Sequence, residues 1–413
     1  RGLEMAGFEC IAFNEVNTDA ADSFSANFPE SLRVDGDIKE ILANDGIRKE
    51  VIPHAGNREI DLVCGGPPCQ GFSGIGHRRS YDVDKGAIPT NDLYWDMIRV
   101  IEQIKPKAFL FENVRGLLSS RWDSNGEKGE IWKEVYSAFS QYNWNSEFGY
   151  VTQPTLLHAY QFGVPQNRPR VFIMGIREDI YPHCGFEASE YSIDTPQGKV
   201  SQSLRNNGGP FPSRTGGSTA PTIPDAISDL AYSDWTEGEC YRNPPQSDYQ
   251  RDLRQGIPDP WQEQELTDHR VSNHSEKVRS RFQMMIDENI SNIRELPADL
   301  RTQKFSQKLL PRDWGGGNPT ITCCSNSDDY VHYELPRALS VREWARLQSF
   351  PDHHLFCGPR TTGGVRRAGN PDKGIWTREV PKYTQIGNAV PPLVGEAIGR
   401  RIREILSTYN RQK

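Results

Sequence analysis

The chain has no apolar run long enough to cross a bilayer, no Cys-x-x-Cys pair and no excess of positive charge, and each lack argues against a class of function. A membrane role is not expected. No basic start followed by an apolar stretch resembles a secretory signal, and the eight cysteines (10, 64, 69, 184, 240, 323, 324, 357) are scattered without His or Cys partners at zinc spacing. A disulfide framework and a structural metal are therefore not expected, and a reducing cytoplasm fits best. The formal net charge of −7 speaks against a protein that coats nucleic acid with its whole surface. Local patches survive that argument. Nine Lys/Arg face five acids between Arg270 and Arg312, and six face two between Arg360 and Lys382, so positive ground lies in the second half.

What is present reads as an α/β protein. At 413 residues the chain predicts a large domain plus a smaller one, and 36% hydrophobic, 25% charged and 10% aromatic residues give a globular profile. The first two hundred residues alternate short apolar runs with amphipathic stretches, the pattern of a parallel sheet flanked by helices. Strands are predicted over 10–14, 61–64, 108–111 and 170–176. Leu93, Tyr94, Met97, Ile98, Ile101 and Ile104 predict a helix behind Asn91 and Asp92 and ahead of Pro106. From about 179 to 260 Gly, Pro, Ser and Asn predict loops. Ser340-x-x-Glu343 predicts a capping box opening a helix that Pro351 ends, and Val394, Ile398, Ile402 and Ile405 predict a last helix whose most economical home is the first domain's sheet. The middle is then an insertion.

The chemistry gathers at strand ends. The strand at 61–64 runs into Gly65-Gly66-Pro67-Pro68-Cys69-Gln70-Gly71-Phe72-Ser73, a tight turn that presents a thiol where open α/β sheets bind ligands. A bare Pro-Cys is more often structural. The strand at 108–111 ends in Glu112-Asn113-Val114, and another begins from Gln166-Asn167-Arg168-Pro169-Arg170, whose two arginines share one face of an extended chain. A thiol, a carboxylate and guanidinium groups are what pyrimidine chemistry needs: carbon 6 of cytosine becomes attackable once N3 is protonated or strongly hydrogen-bonded and O2 is held by a cation.

These segments resemble the motifs of the DNA (cytosine-5)-methyltransferase family, of the compact bacterial modification-enzyme type. Pro67-Pro68-Cys69-Gln70-Gly71-Phe72-Ser73 resembles its catalytic loop, Glu112-Asn113-Val114 its acid motif and Gln166-x-Arg168-x-Arg170 its arginine motif. Arg337-x-Leu339-Ser340-x-Arg342-Glu343-x-Ala345-Arg346-Leu347-Gln348-x-Phe350-Pro351 resembles the helix that shapes its recognition domain. Gln385-Ile386-Gly387-Asn388-Ala389-Val390-Pro391-Pro392 resembles its final motif. Five motifs in order carry far more than Pro-Cys-Gln alone.

The resemblance implies a Rossmann-like class I methyltransferase domain with a mixed, mostly parallel sheet, divided as 1–178 and 336–413 around a smaller, irregular target-recognition domain at 179–335. It implies Cys69 attacking carbon 6, Glu112 engaging N3, and Arg170 holding O2 with Arg168 in support. S-adenosyl-L-methionine would be the methyl donor, leaving S-adenosyl-L-homocysteine, held by Glu15, Val16, Asp37, Ile38, Pro67, Leu93, Asn388 and Val390; no metal is implied. Double-stranded DNA would be the partner, contacted by Gln70, Ser73, His77, Arg78, Arg79 and Gln166, with the cytosine flipped out of the stack. Trp235, Tyr249 and Trp261 fit a groove-reading surface. A monomer associated with the bacterial nucleoid, with a cognate restriction endonuclease, completes the expectation. The alternatives are an inactive or regulatory DNA-binding relative and the same chemistry on RNA. The family's Asp-Leu-Phe-x-Gly-x-Gly-Gly cofactor loop is absent, and Arg1-Gly2-Leu3-Glu4-x-Ala6-Gly7-Phe8 resembles the helix after it, so a truncated start is expected, in preference to a loop supplied by a separate subunit or a defective protein. Pro89-Thr90-Asn91-Asp92-Leu93 also departs from the relatives' usual acid and arginine.

Overall fold

The computed structural model describes residues 1–56, 58–68, 91–123, 125–142, 144, 149–184, 209–213, 220–234, 237–301, 307–313, 329–362, 366 and 379–412. The first part contains α1 (Gly2–Met5), β1 (Ala12–Phe13), α2 (Thr18–Asn27), β2 (Leu32–Arg33), α3 (Ile38–Ala43), α4 (Ile52–His54), β3 (Leu62–Gly65), α5 (Leu93–Ile104), β4 (Ala108–Val114), α6 (Glu130–Ser140), β5 (Tyr150–His158) and β6 (Pro169–Arg177). β3, β4, β6 and β5 form one sheet in that order, while β1 and β2 pair in parallel by themselves. β3 and β4 are parallel, but β4–β6 and β6–β5 are antiparallel. The sheet is mixed as expected. Three of its four strands, β3, β4 and β5, run in one direction, and β6 returns between β4 and β5 in the other.

Both faces of that sheet are covered, which is why β4 and β6 read as unbroken apolar runs. Phe109, Phe111, Val171 and Ile173 pack beneath α5 and α6, with Met97, Ile98, Ile101, Trp132, Val135 and Phe139. The alternate residues Ala108, Leu110, Phe172, Met174 and Ile176 face the other way, onto Val394, Ile398, Ile402 and Ile405 of the last helix. That helix runs over Pro392–Gln412, so the end of the chain does return to the first sheet. Burying each of these aliphatic side chains contributes roughly 1.5–3 kcal/mol.

The middle contributes α7 (Ile223–Ile227), α8 (Asp248–Leu253), α9 (Glu276–Asp287) and the short parallel pair β7 (Lys308–Leu309) and β8 (Tyr330–Val331). α10 (Val341–Leu347) opens with the expected capping box: Ser340 Oγ accepts from the Glu343 N–H and Glu343 accepts from the Ser340 N–H. It closes at Leu347, before Pro351, and Ser349 turns the chain at φ 65°. All seven of its residues are buried, with Trp344, Ala345 and Leu347 packed on Ile223, Ala226, Tyr383 and Ile386. α11 (Lys382–Asn388) follows, and α12 is the last helix. Among the described residues, no helix is long and apolar enough to cross a membrane.

Candidate active site

Parallel pairing of β3 and β4 sets the site's frame. Gly65 is registered on Phe111, so Gly66 arrives beside Glu112. A methyl on Gly66 would lie 2.8 Å from Glu112 Oε2, so any larger residue there would push the carboxylate aside. One residue on, Asn113 Nδ2 donates to the Pro67 carbonyl at 3.2 Å. The segment leading to Cys69 is thus held against the end of β4 at two successive residues. Cys69, Gln70, Ser73, His77, Arg78 and Arg79 lie outside the described residues.

Antiparallel pairing brings the arginines to the same edge. Val114 is registered on Arg170 and Glu112 on Phe172, which makes Glu112 and Arg170 diagonal neighbours on one face of the sheet. Arg170 Nε stands 2.8 Å from Glu112 Oε1. The contact is an ion pair without the alignment of a hydrogen bond. Both side chains are largely buried, 13% and 18% exposed. Burial pushes the Glu112 carboxyl above its usual range, and the positive charges of Arg170 and then Arg168 offset this only in part. A carboxyl whose proton is held more tightly than usual can, when protonated, give a hydrogen bond to a ring nitrogen while the neighbouring cation holds an adjacent carbonyl.

Arg168 and Gln166 occupy the interior. Arg168 Nη2 donates to the Gly387 carbonyl of α11. Gln166, expected at the DNA, is fully buried; its Nε2 donates to the Leu347 carbonyl at 2.8 Å and to Gln348 Oε1. Tyr249 and Trp261 are also spent on internal contacts. The Tyr249 hydroxyl donates to the Arg346 carbonyl at 2.7 Å, and the Arg254 guanidinium stacks 5.0 Å from the Trp261 ring centre. Trp235 lies outside the described residues.

The residues expected around a nucleoside lie on several elements. Glu15 and Val16 follow β1; the Glu15 carboxylate accepts from the Asn17 N–H at 2.8 Å, and desolvation of the carboxylate raises it above its usual range. Val16 is 73% exposed, an open apolar side chain next to an acid. That pair fits a purine with its ribose hydroxyls. Asp37 caps α3 by accepting from the Lys39 N–H at 2.8 Å, with Ile38 as its first helical residue. Lys39 reaches Asp92 at 3.1 Å, which places the start of α3 beside the start of α5 and half-buried Leu93. Asp92 therefore serves this ion pair instead of capping α5 with its side chain. Half-buried Pro67 lies at the acid's edge; exposed Asn388 and half-buried Val390 flank Ala389 at the end of α11.

Sequence reasoning missed three residues that hold these parts in place. Asn14 Nδ2 donates to the carbonyls of Val34 and Gly36 at 2.8 and 3.0 Å, pinning the end of β1 to the end of β2. Asn113 pins Pro67, and Gln348 joins Gln166 to α11. A polar amide within or beside a motif was the available signal, but its partner could not be read from spacing.

A family model described as C-5 cytosine-specific DNA methylase matches residues 1–404. The Type II methyltransferase M.DdeI of Desulfomicrobium norvegicum is 29% identical, over 99% of this chain and 86% of its own. Type II methyltransferase M.XorII of Xanthomonas oryzae pv. oryzae is likewise 29% identical, over 98% of this chain and 82% of its own. The crystal structure of an E. coli prophage protein described as a DNA modification methyltransferase superposes with a TM-score of 0.65 at 21% identity, covering 98% and 95% of the two chains.

Proposed function

The chain belongs to the C-5 cytosine-specific DNA methylase family and so methylates carbon 5 of cytosine in DNA; from that premise we propose that Cys69, Glu112 and Arg170 carry the reaction. The observation that supports these roles is the buried pair of Glu112 and Arg170, 2.8 Å apart at the sheet edge where Asn113 fastens the approach to Cys69.

In this reading Arg170 holds O2 of an extruded cytosine and Glu112 gives a hydrogen bond to N3, drawing electrons out of the ring. The Cys69 thiolate forms a bond to carbon 6, and the displaced electron pair makes carbon 5 nucleophilic. S-Adenosylmethionine, the family's usual cofactor, supplies the methyl group that carbon 5 accepts. Loss of the carbon 5 proton then restores the double bond and expels Cys69. Arg168, bound to the Gly387 carbonyl, supports Arg170 by fixing the start of β6. Glu15 and Val16 would hold the ribose and adenine, with Asp37, Ile38, Pro67, Leu93, Asn388 and Val390 completing the wall. No metal enters this scheme. Gln70, Ser73, His77, Arg78 and Arg79 would close over double-stranded DNA, whereas buried Gln166 serves as an internal strut. Residues 179–335 would read the target as a recognition domain inserted between 1–178 and 336–413.

Two further proposals rest on the relatives. Type II methyltransferases over most of the chain support a role in restriction and modification, with a cognate endonuclease as partner. A monomer working in the cytoplasm, at the nucleoid, would suffice, because all proposed reacting groups come from one chain. The intact set of Cys69, Glu112 and Arg170 disfavours an inactive relative, and the whole-length match to DNA enzymes disfavours RNA as substrate.

The test is methyl incorporation from labelled cofactor into duplex DNA or transfer RNA, with Cys69→Ser alongside. Label in DNA that disappears in the variant supports the reading; label entering RNA alone, or surviving in Cys69→Ser, overturns it. Bisulfite sequencing of DNA from expressing cells gives the site.

A further inference from the structure

Gln348 sits at the C-terminal end of α10, fully buried, where three separate parts of the chain meet. Its Oε1 accepts from Gln166 Nε2, in the segment that leads into β6. Its Nε2 donates to the carbonyls of Ile386 and Ala389 at 3.2 and 2.7 Å, at the end of α11. The Leu347 carbonyl beside it accepts from the same Gln166 amide at 2.8 Å, and Arg168 joins the two outer parts by donating to the Gly387 carbonyl. One amide thus ties the strand that bears Arg170 to the segment that bears Asn388 and Val390, through the helix around which the middle of the chain packs.

We infer that Gln348 is a positioning residue that couples the base-holding strand to the cofactor wall, so that target DNA and cofactor strengthen each other's binding. The inference rests on the reading given above of Arg170 and of Asn388 and Val390. Segment 386–390 has little repeating structure of its own beyond α11, and its backbone must be ordered to line a ligand. Anchoring it to Gln348 lowers that ordering cost before binding and leaves the remainder to be shared with whatever orders β6. Because the same side chain anchors the entry to β6, a ligand that rigidifies one side lowers the cost of binding on the other, and the linkage is reciprocal.

Gln348→Met keeps the length of the side chain and removes all three hydrogen bonds. Calorimetric titration of S-adenosylhomocysteine into the full chain, with and without a duplex containing the target site, reads the coupling directly. In the parent protein DNA should tighten the ligand. In Gln348→Met the Kd without DNA should rise about tenfold, the effect of one buried hydrogen bond, and the tightening by DNA should largely vanish. Gln166→Met should give the same loss, and the double variant should add little to either. A role confined to stability would lower the melting temperature yet leave both the Kd and its response to DNA at parent values in the folded protein; that result overturns the inference. Should Gln348→Met not fold, Gln166→Met carries the same test. A parent protein that binds the ligand and methylates DNA without any mutual tightening refutes the coupling alone, and one that does neither refutes the reading beneath it as well.

Discussion

Glu112 is a carboxyl whose surroundings oppose its charge, and this gives its pH behaviour a definite sign. Burial raises it above 4.5, so it keeps its proton to higher pH than an ordinary glutamate, and Arg170 is the main counterweight. If the protonated form donates to N3, single-turnover methylation should fall as pH rises through that raised value. Glu112→Gln should remove this limb and slow the chemical step about a hundredfold or more, since an amide can donate a hydrogen bond but cannot transfer a proton. Arg170→Met should move the limb to still higher pH while weakening turnover. A pH–rate profile unchanged in Glu112→Gln would show that another group supplies the proton. Gly66 offers a steric check on the same carboxylate. A Cβ there would meet Glu112 Oε2 at 2.8 Å, so Gly66→Ala should cut the rate severalfold with little change in melting temperature, measured in parallel.

At the scale of elements, the sheet is more sensitive than its surface. Gly175 faces Phe109 across β4 and β6, and a methyl at that glycine would come within 2.0 Å of the ring. The ring cannot retreat, because Phe139 and Tyr150 stand 5.4 and 5.3 Å from it, centre to centre. Gly175→Ala should therefore cost about 1–3 kcal/mol in denaturant titrations and leave the cofactor KM of the folded protein unchanged. β4 and β6 were legible in the sequence because burial on both faces leaves short, continuous apolar runs, and β3 because its apolar residues run directly into the glycine-rich turn. β5 was not: Thr152, Gln153 and Pro154 break its apolar pattern, and its place at the edge of the sheet tolerates them. The direction of β6 was hidden too, since apolar alternation is the same for parallel and antiparallel partners. The acid and arginine motifs were therefore visible as motifs, whereas their diagonal pairing required the register. Gln166 and Tyr249 were assigned to the DNA side because a polar or aromatic residue near a motif carries no mark of whether its partner is a ligand or a backbone carbonyl. Both turned inward to backbone carbonyls at the end of α10, where a helix leaves acceptor capacity to be satisfied.

For the whole molecule, the ionic groups around α10 set the response to acid. Arg346 binds Asp229 at 2.5 Å and Asp352 at 2.7 Å, and Arg337 binds Glu343 at 2.7 Å, all with side chains at or below 5% exposure. The arginines hold Glu343 and Asp352 below the usual carboxylate range despite burial. His269 and His332 are buried and pushed from 6.5 down to about 3. Unfolding lets these histidines take up protons the folded state refuses, so stability present above pH 6.5 is lost as pH falls toward 3. The carboxylates add a further loss below about pH 4.5, where the unfolded chain protonates first. Urea midpoints should accordingly drop steadily between pH 7 and 4, and His332→Gln should flatten that slope. Arg346→Met would leave buried Asp352 without its guanidinium partner and Asp229 with Arg254 alone, and should cost about 3–5 kcal/mol, readable in the same titration at pH 7.5.

The wholly enclosed α10 also dictates when the molecule can be finished. Asp229 meets Arg254 after 25 positions but waits for its second guanidinium until 117 positions later, and the Gln166 amide waits for a carbonyl 181 positions later. Until residues 341–347 have left the ribosome, those polar groups stay hydrated and the aromatic side chains meant to lie against Trp344 have nothing to close upon. A nascent chain of this kind spends much of its synthesis as a half-built shell, during which a holding chaperone has the most to protect.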